Sequence, residues 1–145
     1  DLHEMLYSLT SLYEATENLD FHWKPVEQRV LLFADKTQLN RLFTNLLQNA
    51  IEASANRDTH IIRLEEELNG EYITVSICDN GIGIPEQTRS MIFTPNFTTK
   101  SSGTGLGLAM SKGIVEQAKG ELWFVTKEGE GTTFFVKLPL LRAMN

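Results

Sequence analysis

A disulfide framework is excluded at once, because the chain holds a single cysteine, Cys78, set in an apolar run. One thiol in a chain of this size fits a reducing compartment. Basic clusters are missing as well. The 13 Lys and Arg stand against 19 Asp and Glu, for a formal net charge of -6. A surface of that sign repels nucleic acid, so no nucleic-acid partner is expected. No apolar stretch approaches the roughly 20 residues needed to span a bilayer, and no secretory leader is visible. These absences lead to an expected cytoplasmic location. The first residue is Asp1, inside a helix-like pattern, which reads as a piece of a longer protein. Membrane attachment is then expected only through upstream segments. Internal repeats and low-complexity stretches are lacking too. What remains is 145 residues, 41% hydrophobic and 22% charged, which suits one globular domain with a real core.

Leu2, Met5, Leu6, Leu9 and Tyr13 recur at helical spacing, so the chain opens in an amphipathic helix. Leu19, Phe21 and Trp23 alternate with polar residues as in a strand, and Arg29 to Ala34 reads as a short apolar strand. After Asp35, the positions Leu39, Leu42, Phe43, Leu46, Leu47 and Ala50 form a strong helical stripe. Ile61 to Leu68 and Glu71 to Asp79 read as strands joined by Asn69-Gly70, a strong hairpin signal. Asn80 to Gly103 is long, polar and rich in Gly, Pro, Ser and Thr, the profile of a functional or mobile loop. A further helix runs from Leu106 to near Gly120. Strands Glu121 to Lys127 and Thr132 to Leu138 follow, joined at Gly129-Glu130-Gly131. The predicted fold is α+β: a mostly antiparallel sheet with one face on about three helices. Spacing alone leaves the strand order open.

Ile73, Val75 and Ile77 share one strand face, and period-two alternation puts Asp79 on it too. A carboxylate aimed at a core is costly unless something hydrogen-bonds it. A ligand amine would serve; so would a local turn at Asp79-Asn80-Gly81. Gly81 and Gly83 follow, where glycine permits close approach or unusual φ. A second cluster, Gly103-Thr104-Gly105-Leu106-Gly107-Leu108, leads into a helix, whose unpaired N–H groups suit phosphate. It is neither the dinucleotide fingerprint nor a P-loop, and the H-R-D and D-F-G kinase signatures are absent. On the helix after Asp35, Gln38 and Arg41 read as a solvated face. Asn45 and Asn49 lie one turn apart and can address one object. An Asn oxygen is a suitable hard ligand for Mg²⁺.

Four boxes stand in order: Asn45-Leu-Leu-Gln-Asn49-Ala50, Asp79-Asn-Gly81-Ile-Gly83-Ile84-Pro85, Phe93-Thr-Pro-Asn-Phe97-Thr98-Thr99-Lys100, and Gly103-Thr104-Gly105-Leu106-Gly107-Leu108. With the closing Gly129-Glu-Gly131-Thr132-Thr133-Phe134, they resemble the ATP-binding catalytic domain of bacterial two-component histidine kinases. Type II topoisomerase and mismatch-repair ATPases share that superfamily. The resemblance runs from about the first helix to Leu138.

It implies an α/β sandwich with ATP held between the two-asparagine helix and a lid from about Glu86 to Ser102. It further implies that Asp79 accepts from the adenine amine, with Gly81, Gly83 and Ile84 on the adenine side. Asn49 would coordinate Mg²⁺, with Asn45 supporting it or touching phosphate. Phe93 and Phe97 would anchor the lid, and Lys100 would reach the terminal phosphate. Thr98, Thr99, Gly103, Thr104, Gly105, Leu106, Gly107, Leu108 and Thr133 complete the implied nucleotide contacts, with Asn45 and Lys100 as the catalytic pair.

The hydrolysing relatives carry a glutamate one turn before the magnesium asparagine; here Asn45 occupies that position and cannot act as a base. The resemblance thus favours transfer to a protein histidine, and onward to a response regulator, over a superfamily ATPase, a protein-serine kinase or a nucleotide-responsive module. Two residues depart from the family pattern: Glu52, where some members have a basic residue, and Asn96, where an aromatic is frequent. His3, His22 and His60 lack the context of a phosphoacceptor. Residues 1–14 are therefore expected to connect to an absent dimerisation and phosphoacceptor hairpin, residues 15–145 to form the catalytic domain, and the isolated chain to be monomeric.

Overall fold

Asp35 begins the longest helix. Its carboxylate accepts from the N–H groups of Thr37 at 2.8 Å and Gln38 at 3.3 Å, capping α2 (Lys36–Ala53). The predicted stripe of Leu39, Leu42, Phe43, Leu46, Leu47 and Ala50 is the buried face of this helix. Asp1 caps α1 (Leu2–Ser11) in the same way, and Leu2, Met5, Leu6, Leu9 and Thr10 are buried in the common core. The third helix, α3, spans Gly107–Gln117. The computed structural model describes residues 1–13, 18–32, 34–54, 58–94 and 107–141.

The strands are β1 (Leu19–Lys24), β2 (His60–Asn69), β3 (Tyr72–Asp79), β4 (Glu121–Lys127) and β5 (Gly131–Pro139). They lie in the order β1-β2-β3-β5-β4. The β1–β2 pair is parallel and the others are antiparallel, so the sheet is mixed and mostly antiparallel, as the α+β reading expected. One face carries Ile62, Leu64, Ile73, Val75, Ile77, Phe134, Val136 and Leu138 into the core. The helices cover that face.

Three details depart from the sequence reading. The two-residue turn is Gly70-Glu71, since Asn69 pairs with Tyr72. Gly70 takes φ 62°, as the first central position of a II′ turn requires. Arg29 to Ala34 is not a strand. Among its described residues, only Leu32 forms a bridge, with Leu140. The neighbouring carbonyls are divided between partners: Val30 accepts from Leu2 N–H and Leu31 from Leu141 N–H, so no ladder propagates. A 3₁₀ helix over Glu86–Met91 interrupts what read as loop.

Glu66 sits on the core face of β2 with a fully buried side chain. Its carboxylate meets His3 Nε2 at 2.5 Å, accepts from Trp23 Nε1 at 2.8 Å, and accepts from Val26 N–H at 3.2 Å. One carboxylate therefore ties α1, β1 and the segment after β1 to β2. Removing it strands buried donors, each costing about 1–3 kcal/mol. We expect Glu66→Ala to lower stability by ~3 kcal/mol, read as a fall in the urea midpoint at unchanged slope. His3 thus has a structural role, and His60 is half-buried with Nδ1 2.6 Å from Ser54 Oγ.

Candidate nucleotide site

β3 delivers Asp79 to the helix-covered face, as alternation predicts, and leaves it only 4% exposed. Its Oδ1 accepts from Gly81 N–H at 2.8 Å and from Thr132 N–H at 3.2 Å. The Gly81 contact is the local turn that the sequence allowed. The Thr132 contact comes from another strand, 53 residues away. An ionised carboxylate is acceptor-only, with about four lone-pair sites, so this buried group is chemically complementary to an amine.

Thr132, not Thr133, belongs with Asp79. Thr133 pairs with Cys78, and both lie on the opposite face of the sheet. The closing glycine box had pointed to this neighbourhood, but only strand register decides which of two adjacent threonines faces the helices.

The glycines after Asp79 press against the chain's own backbone. A Cβ on Gly81 would overlap the Ala53 carbonyl at the end of α2. Gly83 has φ +78°, and a Cβ there would stand 2.5 Å from the Lys127 carbonyl. Residues 82 to 86 are fastened to the β4–β5 hairpin: Gly129 N–H donates to Ile82 O at 2.8 Å, Ile84 N–H to Thr126 Oγ1 at 2.9 Å, and Glu86 N–H to Glu128 Oε1 at 3.1 Å. Arg89 Nε returns to Ile84 O at 3.0 Å.

Across the site, Asn45 and Asn49 are half-buried on α2, beside its buried stripe. Asn45 Nδ2 lies 3.5 Å from Gly107 O, so α2 meets the first residue of α3 there. Ser111 Oγ donates to the same carbonyl at 2.8 Å, and Leu108 packs against the core. Phe93 lies near the end of the described 58–94 segment. Its ring sits edge-on to Phe124 and Phe134 at 6.0 and 6.4 Å between centroids, with Lys112 Nζ 5.4 Å above it. The remaining sequence-predicted residues, Phe97, Thr98, Thr99, Lys100, Gly103, Thr104, Gly105 and Leu106, lie outside the described residues, as does Asn96.

Residues 34–142 match the family described as histidine kinase-, DNA gyrase B- and HSP90-like ATPase. The chain belongs to that family. This ATPase domain is 35% identical over 109 residues to sporulation kinase E of Bacillus subtilis, covering 75% of this chain and 15% of the relative. It is 40% identical over 107 residues to the sensor histidine kinase ZraS of Escherichia coli, covering 74% and 23%. The chain therefore spans less than a quarter of the length of either relative. The solved catalytic domain of histidine kinase ThkA superposes with a TM-score of 0.84 at 33% identity, over 95% of this chain and 91% of that one. An ATPase domain implies ATP as its ligand, and the residues fit one. Asp79 is a buried acceptor at the end of β3, chemically suited to an amine, and the half-buried amides of Asn45 and Asn49 stand one turn apart on α2, with oxygens chemically suited to a hard cation.

Proposed function

We propose that this domain holds Mg²⁺-ATP and passes the γ-phosphoryl group to a histidine on a separate dimeric helical hairpin, from which it moves to an aspartate of a response regulator. The bound nucleotide supplies the phosphoryl group, and the cation neutralises charge on it. The chain itself contributes positioning. Asp79 takes the base amine, with Gly81, Gly83 and Ile84 forming the loop beside it. Asn49 offers an oxygen to the cation, and Asn45 orients the start of α3. Lys100 and the Gly103 to Leu108 segment attend the phosphates, with Phe93 and Phe97 anchoring the lid.

The observation that carries transfer over hydrolysis is Asn45. Its amide is engaged with the Gly107 carbonyl, and an amide cannot take a proton from water at neutral pH. The nucleotide is thus held for a protein nucleophile. A histidine kinase ThkA structure containing the response regulator protein TrrA, with a TM-score of 0.79 and 29% identity to this chain, supports the partner assignment. We take α1 as the element that joins the hairpin to the domain, and the isolated chain as a monomer, with dimerisation left to the hairpin. No helix among the described residues is long and apolar enough to cross a membrane, and the domain is proposed to work on the cytoplasmic side.

The test supplies labelled ATP, Mg²⁺ and a purified acceptor hairpin. We expect acid-labile, base-stable label on the hairpin histidine, reduced at least about tenfold by Asn49→Ala, the order expected for losing one ligand of a weakly held cation. Steady phosphate release without hairpin labelling would make the domain a hydrolase; base-labile label on serine would make it a serine kinase.

A further inference from the structure

Asp79 is the end of a longer chain of hydrogen bonds. On β4, the neighbouring strand of β5, Thr126 faces Thr132, with the two hydroxyl oxygens 2.8 Å apart. The same Thr126 oxygen accepts from Ile84 N–H at 2.9 Å and lies 3.2 Å from the Gly131 carbonyl. A threonine hydroxyl has one hydrogen and two lone pairs. The Ile84 N–H can only donate, and the Gly131 carbonyl can only accept. All three contacts are hydrogen bonds together in one arrangement: Ile84 N–H donates to Thr126, Thr126 O–H donates to Gly131, and Thr132 O–H donates to Thr126. The Thr132 hydrogen is then committed, and its oxygen keeps acceptor capacity alone. That oxygen belongs to the residue whose N–H holds Asp79.

We propose that Thr126 is a positioning residue that sets this polarity, so that Thr132 joins the Asp79 carboxylate in presenting an acceptor, and not a donor, to the base end of the site. Such a site selects a 6-amino purine, which offers donors there, and opposes a 6-oxo purine, whose oxygen would meet like lone pairs. Through Ile84, the same hydroxyl fixes the 82–86 segment to the hairpin, coupling base recognition to the start of the lid region. The inference rests on the nucleotide reading above and adds a residue to it.

Three proteins decide it: the parent chain, Thr126→Val and Thr126→Ser. Each is titrated by calorimetry with non-hydrolysable triphosphates of adenosine and inosine. Amide exchange at Ile84 is followed by NMR without ligand. The parent is expected to prefer the adenine form. Valine keeps the shape, frees the Thr132 hydrogen and deprives Ile84 N–H of its acceptor. It should narrow the preference by about tenfold, the order expected for one hydrogen bond, and speed Ile84 exchange. Serine, with the hydroxyl but not the methyl, should restore both; a packing role would give the reverse ranking. An unchanged preference in the valine variant, or a serine variant that fails to restore it, overturns the proposal. Unchanged Ile84 exchange in the valine variant overturns the hydrogen-bond assignment without reference to any ligand. A parent chain that binds neither nucleotide overturns the nucleotide reading itself, and base selection with it.

Discussion

Asp79→Asn is expected to weaken binding of a non-hydrolysable ATP analogue by at least about 100-fold while leaving the fold intact. The asparagine oxygen can still accept from Gly81 N–H and Thr132 N–H, the two contacts made by Oδ1, so the strand end keeps its local support. What changes is the other end of the group. An NH₂ replaces an acceptor, and two donors then face each other across a desolvated contact. A hydrogen bond to a charged group contributes about 1.5–3 kcal/mol, and an unmet buried donor costs about as much again. Calorimetry with and without Mg²⁺, beside thermal melts of both proteins, gives the answer. Equal affinity in the variant at an equal melting temperature would remove Asp79 from the nucleotide site. Asp79→Ala is the less informative choice, because it would also strand the two N–H groups.

Gly131→Ala is expected to lower the melting temperature by about 10 °C, from a loss of ~3 kcal/mol or more. Gly131 has φ +136°, a conformation that L side chains rarely adopt, and that strain alone costs about 1–3 kcal/mol. A methyl there would also be driven into the Asp79 carbonyl, an overlap of the kind that costs about 1–3 kcal/mol in packed interiors. The same displacement moves the end of β3, so nucleotide affinity should fall together with stability. Gly113→Ala is the matched control. That glycine lies within α3 with nothing near its Cβ position, and alanine there should raise stability by about 0.5–1 kcal/mol. If both glycine variants melt alike, the close approach of β5 to the end of β3 is not what holds this corner.

Much of this protein was legible in the sequence, because its helices and strands are half-solvated and the solvent leaves a period in the residues. The buried stripe of α2 repeats at helical spacing. Ile73, Val75, Ile77 and Asp79 share one face because a strand alternates, and so a misplaced carboxylate could be found before any coordinates. The ordered glycine and asparagine boxes carried the family, since those positions constrain backbone and polarity and not merely hydropathy. The sequence did not reveal where the boxes look in space. Arg29 to Ala34 is apolar enough for a strand, yet its carbonyls are divided between α1 and the segment after β5. Glu66 has the periodicity of a core position and the chemistry of a surface one; only the arrival of His3, Trp23 and Val26 from three other segments reconciles them. The strand order β1-β2-β3-β5-β4 and the parallel β1–β2 pair were likewise decided by pairing between distant segments. The choice of Thr132 over Thr133, and the hydroxyl chain through Thr126, depend on cross-strand register. Local patterns record which groups leave water. Which group then satisfies a buried polar atom is settled by contacts far apart in the chain, and those exist only once the tertiary structure has formed.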